Sequence, residues 1–153
     1  MSETLCGFND TLTSSGSNLL VSYGPTIMVD IGFDPTYNAN AVPITIPISA
    51  IKGVTALVDS GAGQSCIDNL LAAQLGLPVI DRQEISGAGG RHTTNVYLAQ
   101  IYVPSLSFVI YGTFYGVNLI AGGQVHKALI GRTFLKNFIM NYDGKTGTVK
   151  ISN

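Results

Sequence analysis

The 153-residue sequence predicts an all-β domain carrying one or two short helices. Runs of β-branched residues of strand length recur between Thr26 and Ile151, Gly and Pro bound them, and only two short stretches place apolar residues at helical spacing. No internal repeat of solenoid length is visible, so a single fold carries the function.

Taken in order, residues 1–18 are rich in Ser, Thr, Asn and Gly without a sustained period, which predicts a flexible arm or a loosely attached edge segment ahead of one domain, 19–153. Thr26 to Phe33 and Val42 to Ile51 read as strands, with Pro35, Pro43 and Pro47 at edges or bulges. Lys52-Gly53 reads as a turn leading into the apolar strand Val54 to Val58, which ends at Asp59. Ile67, Leu70, Leu71 and Leu75, followed by Gly76, predict a helix over about 67–75. Arg82 to Ser86 and Thr93 to Val103 flank Gly87-Ala88-Gly89-Gly90, a composition suited to a tight hairpin tip. Ser107 to Leu119 and Lys127 to Ile130 are further β-rich runs, Gly131 to Asn137 a second helical segment, and Phe138 to Ile151 a closing hairpin around Asp143-Gly144-Lys145.

Composition removes several function classes. Hydrophobic residues make up 46% and charged residues 11%, a balance that folds rather than staying disordered. Eight basic against nine acidic residues, with no Lys/Arg cluster, argue against a nucleic-acid partner. No stretch approaches the ~20 apolar residues of a membrane span. The N-terminal region has Glu3 and Asp10 and lacks a cationic flank, which reads as cytoplasmic. Cys6 and Cys66 form no disulfide framework and have no zinc-ligand spacing, so neither a metal nor a cofactor is expected.

The chemistry concentrates at Val58-Asp59-Ser60-Gly61-Ala62, where a carboxylate ends a buried strand and is followed by a hydroxyl and then by a Gly whose amide can approach it closely. Leu57 to Ala62 resembles the catalytic loop of retropepsin-like aspartic proteases, which carry Asp-Thr/Ser-Gly-Ala after two apolar residues. Ala128-Leu129-Ile130-Gly131-Arg132 resembles the apolar-apolar-Gly-Arg segment that opens the family's C-terminal helix. The glycine-tipped hairpin at Gly87, Ala88, Gly89 and Gly90 lies between the two, where the family has its flap. The likeness spans roughly residues 26–152 and implies a closed or partly open β-barrel with a flap.

That resemblance implies an aspartic endopeptidase with Asp59 as its catalytic carboxylate, Ser60 bonding across a dimer, Gly61 shaping the carboxylate's surroundings and Ala62 keeping the floor small. Asp10, Asp30, Asp34, Asp68, Asp81 and Asp143 are not followed by the Ser/Thr-Gly pair, so the second carboxylate is expected from an identical chain in a homodimer. The implied substrate is an extended polypeptide, with Val58, Ile85 and Ile130 as subsite walls and Gly131 and Arg132 as structural neighbours. Where many viral members carry an acid after the Ala, Gly63 stands here, which leaves Arg132 without that partner.

Rival readings use the same residues. Asp-Ser-Gly alone is ordinary turn chemistry, and Gly87 to Gly90 alone an ordinary hairpin turn. Gly61-Ala62-Gly63 with Asp81 about twenty residues on imitates a dinucleotide fingerprint, which Cys66 breaks at the third small position. Gly63-Gln64-Ser65-Cys66 begins like a nucleophile elbow, but Ile67 replaces the needed second Gly. Cys66 reads as a small buried hydrophobe, and His92 and His126 as ordinary surface residues, with His92 near the flap. A rival of another class keeps the fold as a peptide-binding or dimerisation module that cleaves nothing.

Overall fold

The computed structural model describes residues 2–36, 50–87 and 90–153. Its strands are β1 (Glu3–Leu5), β2 (Thr26–Gly32), β3 (Ile51–Val58), β4 (Cys66–Asp68), β5 (Val79–Gly87), β6 (Gly90–Val103), β7 (Phe108–Val117), β8 (Ala128–Ile130), β9 (Ile139–Asp143) and β10 (Thr148–Ser152). The α-helices are α1 (Gly16–Tyr23), α2 (Asn69–Leu75) and α3 (Arg132–Leu135). The predicted all-β class holds, and none of these helices is long and apolar enough to cross a membrane.

The large sheet runs β2-β3-β8-β4-β7-β6-β5, and β2 pairs with β6 as well as with β3. The first six strands therefore return on themselves as a partly closed barrel, with β5 left outside on β6. Inside lie Val29, Ile31, Ile67, Ile101, Val103 and Ile130, all fully buried. Removal of such β-branched side chains from water is the main favourable term holding the barrel together. A smaller sheet, β1-β10-β9, contributes the fully buried Val149 and Ile151 to the same core.

Three local readings change against the structure. Lys52-Gly53 is not a turn: both residues lie in β3, where Val29 pairs with Val54 but Ile31 with Ile51, so β3 carries one extra residue. Gly53 adopts φ 67° at this bulge and donates its N–H to Asp30 Oδ1 at 2.9 Å. The expected strand from Val42 to Ile51 otherwise lies almost wholly outside the described residues.

The segment 1–18 is an edge rather than a free arm. Strand β1 pairs with β10, Cys6 is buried, and the backbone continues through Cys6 N–H to Val149 O (2.8 Å) and Phe8 N–H to Gly147 O (2.9 Å). Helix α1 begins within it, capped by Ser15 accepting from Asn18 N–H, and it buries Leu20. The polar Ser/Asn composition concealed this helix, because a single buried Leu sets its inner face.

The helix expected over 67–75 starts later. Ile67 is fully buried in β4, and Asp68 caps α2 by accepting from Leu71 N–H, with Gly76 closing it in the left-handed conformation. Helix α3 is a single turn, held by Phe134, whose ring meets Phe108 edge-on at 5.6 Å and Phe138 at 4.7 Å. Those rings fix the segment that supports the loop after β3.

Candidate active site

Strand β3 lies parallel to β8, pairing Val58 with Ile130, and the ladder continues one residue further through Asp59 N–H to Ile130 O at 2.8 Å. Asp59 is thus the first residue past the sheet, its backbone pinned while its side chain is only half-buried. Gly61 N–H donates to Asp59 Oδ1 at 2.9 Å, and Ala62 N–H to Asp59 O at 3.2 Å. A carboxylate held by a backbone amide keeps one oxygen oriented and leaves the other for chemistry.

The 131–133 segment clamps this loop from below. Arg132 N–H donates to Ala62 O (2.9 Å), Thr133 N–H to Gly63 O (3.1 Å), and Gly131 N–H to the buried Ser65 Oγ (3.0 Å). A Cβ at Gly131 would lie 2.7 Å from Gln64 O and 2.8 Å from Ala62 O, so only glycine fits. Arg132 Nη1 donates to Ser60 O at 2.8 Å, which supplies the partner that sequence alone left open. Position 63 faces the guanidinium, with Arg132 Nη2 3.4 Å from where a Cβ would stand. With Gly63 there, the arginine grips the loop's backbone instead of an acid.

A groove of ≈ 710 Å³ opens above the loop. Asp59, Gly61 and Ala62 form its floor, Ile85, Ser86 and His92 belong to the β5–β6 hairpin on one side, and Val117, Asn118 and Leu129 line the other. Ile85 and His92 are direct cross-strand partners and so share one face of the hairpin. The opposite face carries the exposed ion pair of Arg91 Nε with Glu84 Oε1 at 3.0 Å. The hairpin closes by pairing Gly87 with Gly90, while Ala88 and Gly89 lie outside the described residues.

Of the three expected subsite walls, Ile85 lines the groove, whereas Val58 and Ile130 are 4% and 0% exposed and belong to the core. Side-chain alternation explains the difference: with Ile130 inward, its neighbour Leu129 faces the groove. In a run as uniformly apolar as Ala128-Leu129-Ile130 that parity has no signature in the sequence.

The rival chemistries lose their geometry. Gly61-Ala62-Gly63 leads into strand β4, not a helix, and the barrel is not a parallel α/β sheet. Ser65 is buried with its Oγ accepting from Gly131 N–H, and the Cys66 thiol is pushed up to about 11 by burial and by the Asp59 charge. It stays protonated and inert at neutral pH.

His126 is buried, not at the surface. Its Nε2 shares a hydrogen bond of 2.8 Å with Thr26 Oγ1, and the same hydroxyl lies 3.1 Å from Gly24 O. Burial lowers its pKa below the ordinary 6.5. The unfolded chain therefore binds the extra proton first, and the stability this residue contributes is present above the unfolded pKa and lost as pH falls from there through the folded value. Urea midpoints measured at about pH 8 and pH 5 are expected to fall for wild type, and to fall less for His126→Gln. Equal falls would contradict this assignment.

Residues 44–134 match the aspartyl protease family, a span that contains Asp59 and Gly131-Arg132. Among solved structures, a retropepsin-like aspartic protease from Rickettsia conorii matches with a TM-score of 0.51 at 10% identity, covering 97% of this chain and 89% of that one, a likeness of fold. The retroviral protease-like domain of Ddi1 from Leishmania major matches at a TM-score of 0.43 and 20% identity, over 84% of this chain and 89% of that one. No curated protein sequence matches the chain.

Proposed function

The chain belongs to the aspartyl protease family, and on that premise we propose that it is an aspartic endopeptidase working as a homodimer, with one Asp59 from each copy. The observation that carries the reading is the Asp59 carboxylate on the floor of a peptide-sized groove, hydrogen-bonded by Gly61 N–H and flanked by Ile85 and His92 of a hairpin. Among the described residues no second carboxylate lines that groove. Ser60, next to Asp59, is exposed, as a residue bonding across a twofold axis needs to be.

The mechanism follows from what one carboxylate lacks. Water is a poor nucleophile, and a single carboxylate cannot take its proton and protonate the scissile carbonyl in the same step. Two carboxylates brought close together cannot both ionise, the physics for which aspartic proteases are the type case, so one is an acid while the other is a base. The ionised Asp59 takes a proton from a water held between the pair, and the oxygen attacks the scissile carbonyl. The protonated Asp59 gives its proton to the carbonyl oxygen, forming a gem-diol. Collapse breaks the C–N bond as the first Asp59 returns a proton to the amine and the second Asp59 takes one back from a gem-diol hydroxyl, which restores the dyad, and no covalent intermediate forms.

Digestion of a peptide library at a series of enzyme concentrations tests this reading. Cleavage beside apolar residues is expected, with specific activity falling on dilution below the dimer dissociation constant and highest at mildly acidic pH. Peptide binding without any cleavage would support the non-catalytic alternative instead.

A further inference from the structure

Asn118 stands in the groove with one side of its carboxamide already committed. Asn95 Nδ2 donates to Tyr97 Oη at 3.4 Å, Tyr97 O–H to Asn69 Oδ1 at 2.7 Å, and Asn69 Nδ2 to Asn118 Oδ1 at 2.9 Å. A phenol has one proton, and Tyr97 spends it on Asn69, so the relay has a fixed direction. It runs from β6 across the start of α2 and leaves Asn118 Nδ2 as the free donor, with no acceptor recorded among the described residues.

Two independent features hold the relay in place. A Cβ at Gly116 would fall 2.0 Å from Asn69 Oδ1, so the strand leading to Asn118 is kept bare where the relay passes. On the other side, fully buried Asp68 accepts from Leu119 N–H at 2.8 Å and Ile120 N–H at 2.9 Å through Oδ1 while capping α2 through Oδ2. The backbone on both sides of Asn118 is therefore fixed. An exposed Asn ordinarily keeps its rotamer freedom, and this one is pre-ordered before anything binds.

We infer that Asn118 is a substrate-positioning residue whose Nδ2–H donates to a main-chain carbonyl of the bound peptide; the inference rests on the peptide groove proposed above. The neighbouring Val117 and Leu129 are apolar and suit apolar side chains. A lone oriented donor among them suits the carbonyl that an extended chain presents at every second residue.

The test is a double-mutant cycle on peptide cleavage. Asn118→Ala is expected to lower kcat/KM about 5- to 10-fold, and by the same factor for peptides of different side chains. Tyr97→Phe removes the proton that orients the relay without entering the groove, and is expected to lower kcat/KM about threefold in wild type but not in the Asn118→Ala background. Equal losses from Tyr97→Phe in both backgrounds, or Asn118→Ala within twofold of wild type, overturn the inference. A loss confined to peptides with Glu or Gln at one position also overturns it, since the acceptor is then a side chain. If wild type cleaves nothing, the proteolytic reading fails by itself, and the inference is read from the Kd of the same peptides, fluorescently labelled: an Asn118→Ala Kd unchanged, or no binding at all, rejects it.

Discussion

Asp59→Asn is expected to lower kcat about 10³-fold or more while leaving the melting temperature within a few degrees of wild type. The amide keeps the carboxylate's shape, and its Oδ1 can still accept from Gly61 N–H, so the bond at 2.9 Å that shapes the loop survives. What it loses is basicity: an amide at the operating pH takes no proton from water, and general acid–base catalysis of this kind is worth about 10²–10⁴-fold. Asp59 is half-buried and forms no ion pair among the described residues, so its neutralisation leaves no orphaned charge in the core. Initial rates on a labelled peptide, paired with a thermal melt, check both halves of this expectation. Cleavage near the wild-type rate would show that Asp59 is not the base.

The second large effect is expected at a residue that touches no substrate. Gly131→Ala drives a methyl to within 2.7–2.8 Å of two main-chain oxygens, Gln64 O and Ala62 O, so the obstacle is backbone and cannot rotate away. Overpacking of this kind costs about 3 kcal/mol, or roughly 10 °C of melting temperature in a domain of this size. The same displacement moves the loop that carries Asp59, and a shift near 1 Å at reacting groups costs about 10²-fold in rate. Gly63→Ala is the control, because its methyl would meet only the far end of the Arg132 side chain at 3.4 Å. Its stability is expected within about 0.5 kcal/mol of wild type. Thermal melts and peptide rates for the two variants together separate a backbone clash from a general intolerance of alanine in the loop.

How legible this protein was in its sequence varied with the range of the interactions involved. The fold class was readable because β-branched runs and Gly/Pro boundaries are local signals, and all-β architecture follows from their sum. The 131–132 segment was readable as a motif, yet its purpose was not, since the clamp consists of backbone bonds to Ala62 and Gly63 some seventy positions away. Lys52-Gly53 was misread because a Gly after Lys is turn chemistry locally, and only the distant Asp30 carboxylate makes it a bulge. Val58 and Ile130 are expected in the groove from the sequence because apolar residues beside the Asp59 loop look equally available in a string, and strand parity decides which of them is inward. His126 looked like a loop histidine until Thr26, a hundred positions earlier, closed over it. The relay to Asn118 had no sequence signal at all, since Asn69, Asn95, Tyr97 and Gly116 are unremarkable until the barrel brings them together.

The central claim is that one complete site needs two chains, and a tethered dimer addresses it most directly. Two copies joined by a flexible linker of adequate reach raise the effective concentration of the second copy, so activity is expected to survive dilution that silences the untethered protein. Asp59→Asn is then introduced into one copy only, with intermolecular pairing of intact copies excluded by working at that dilution. If the two carboxylates form one dyad, the singly substituted tether loses activity about as completely as the doubly substituted one. Retention of half the wild-type activity would mean that each chain owns a complete site, and the shared-dyad account would be wrong.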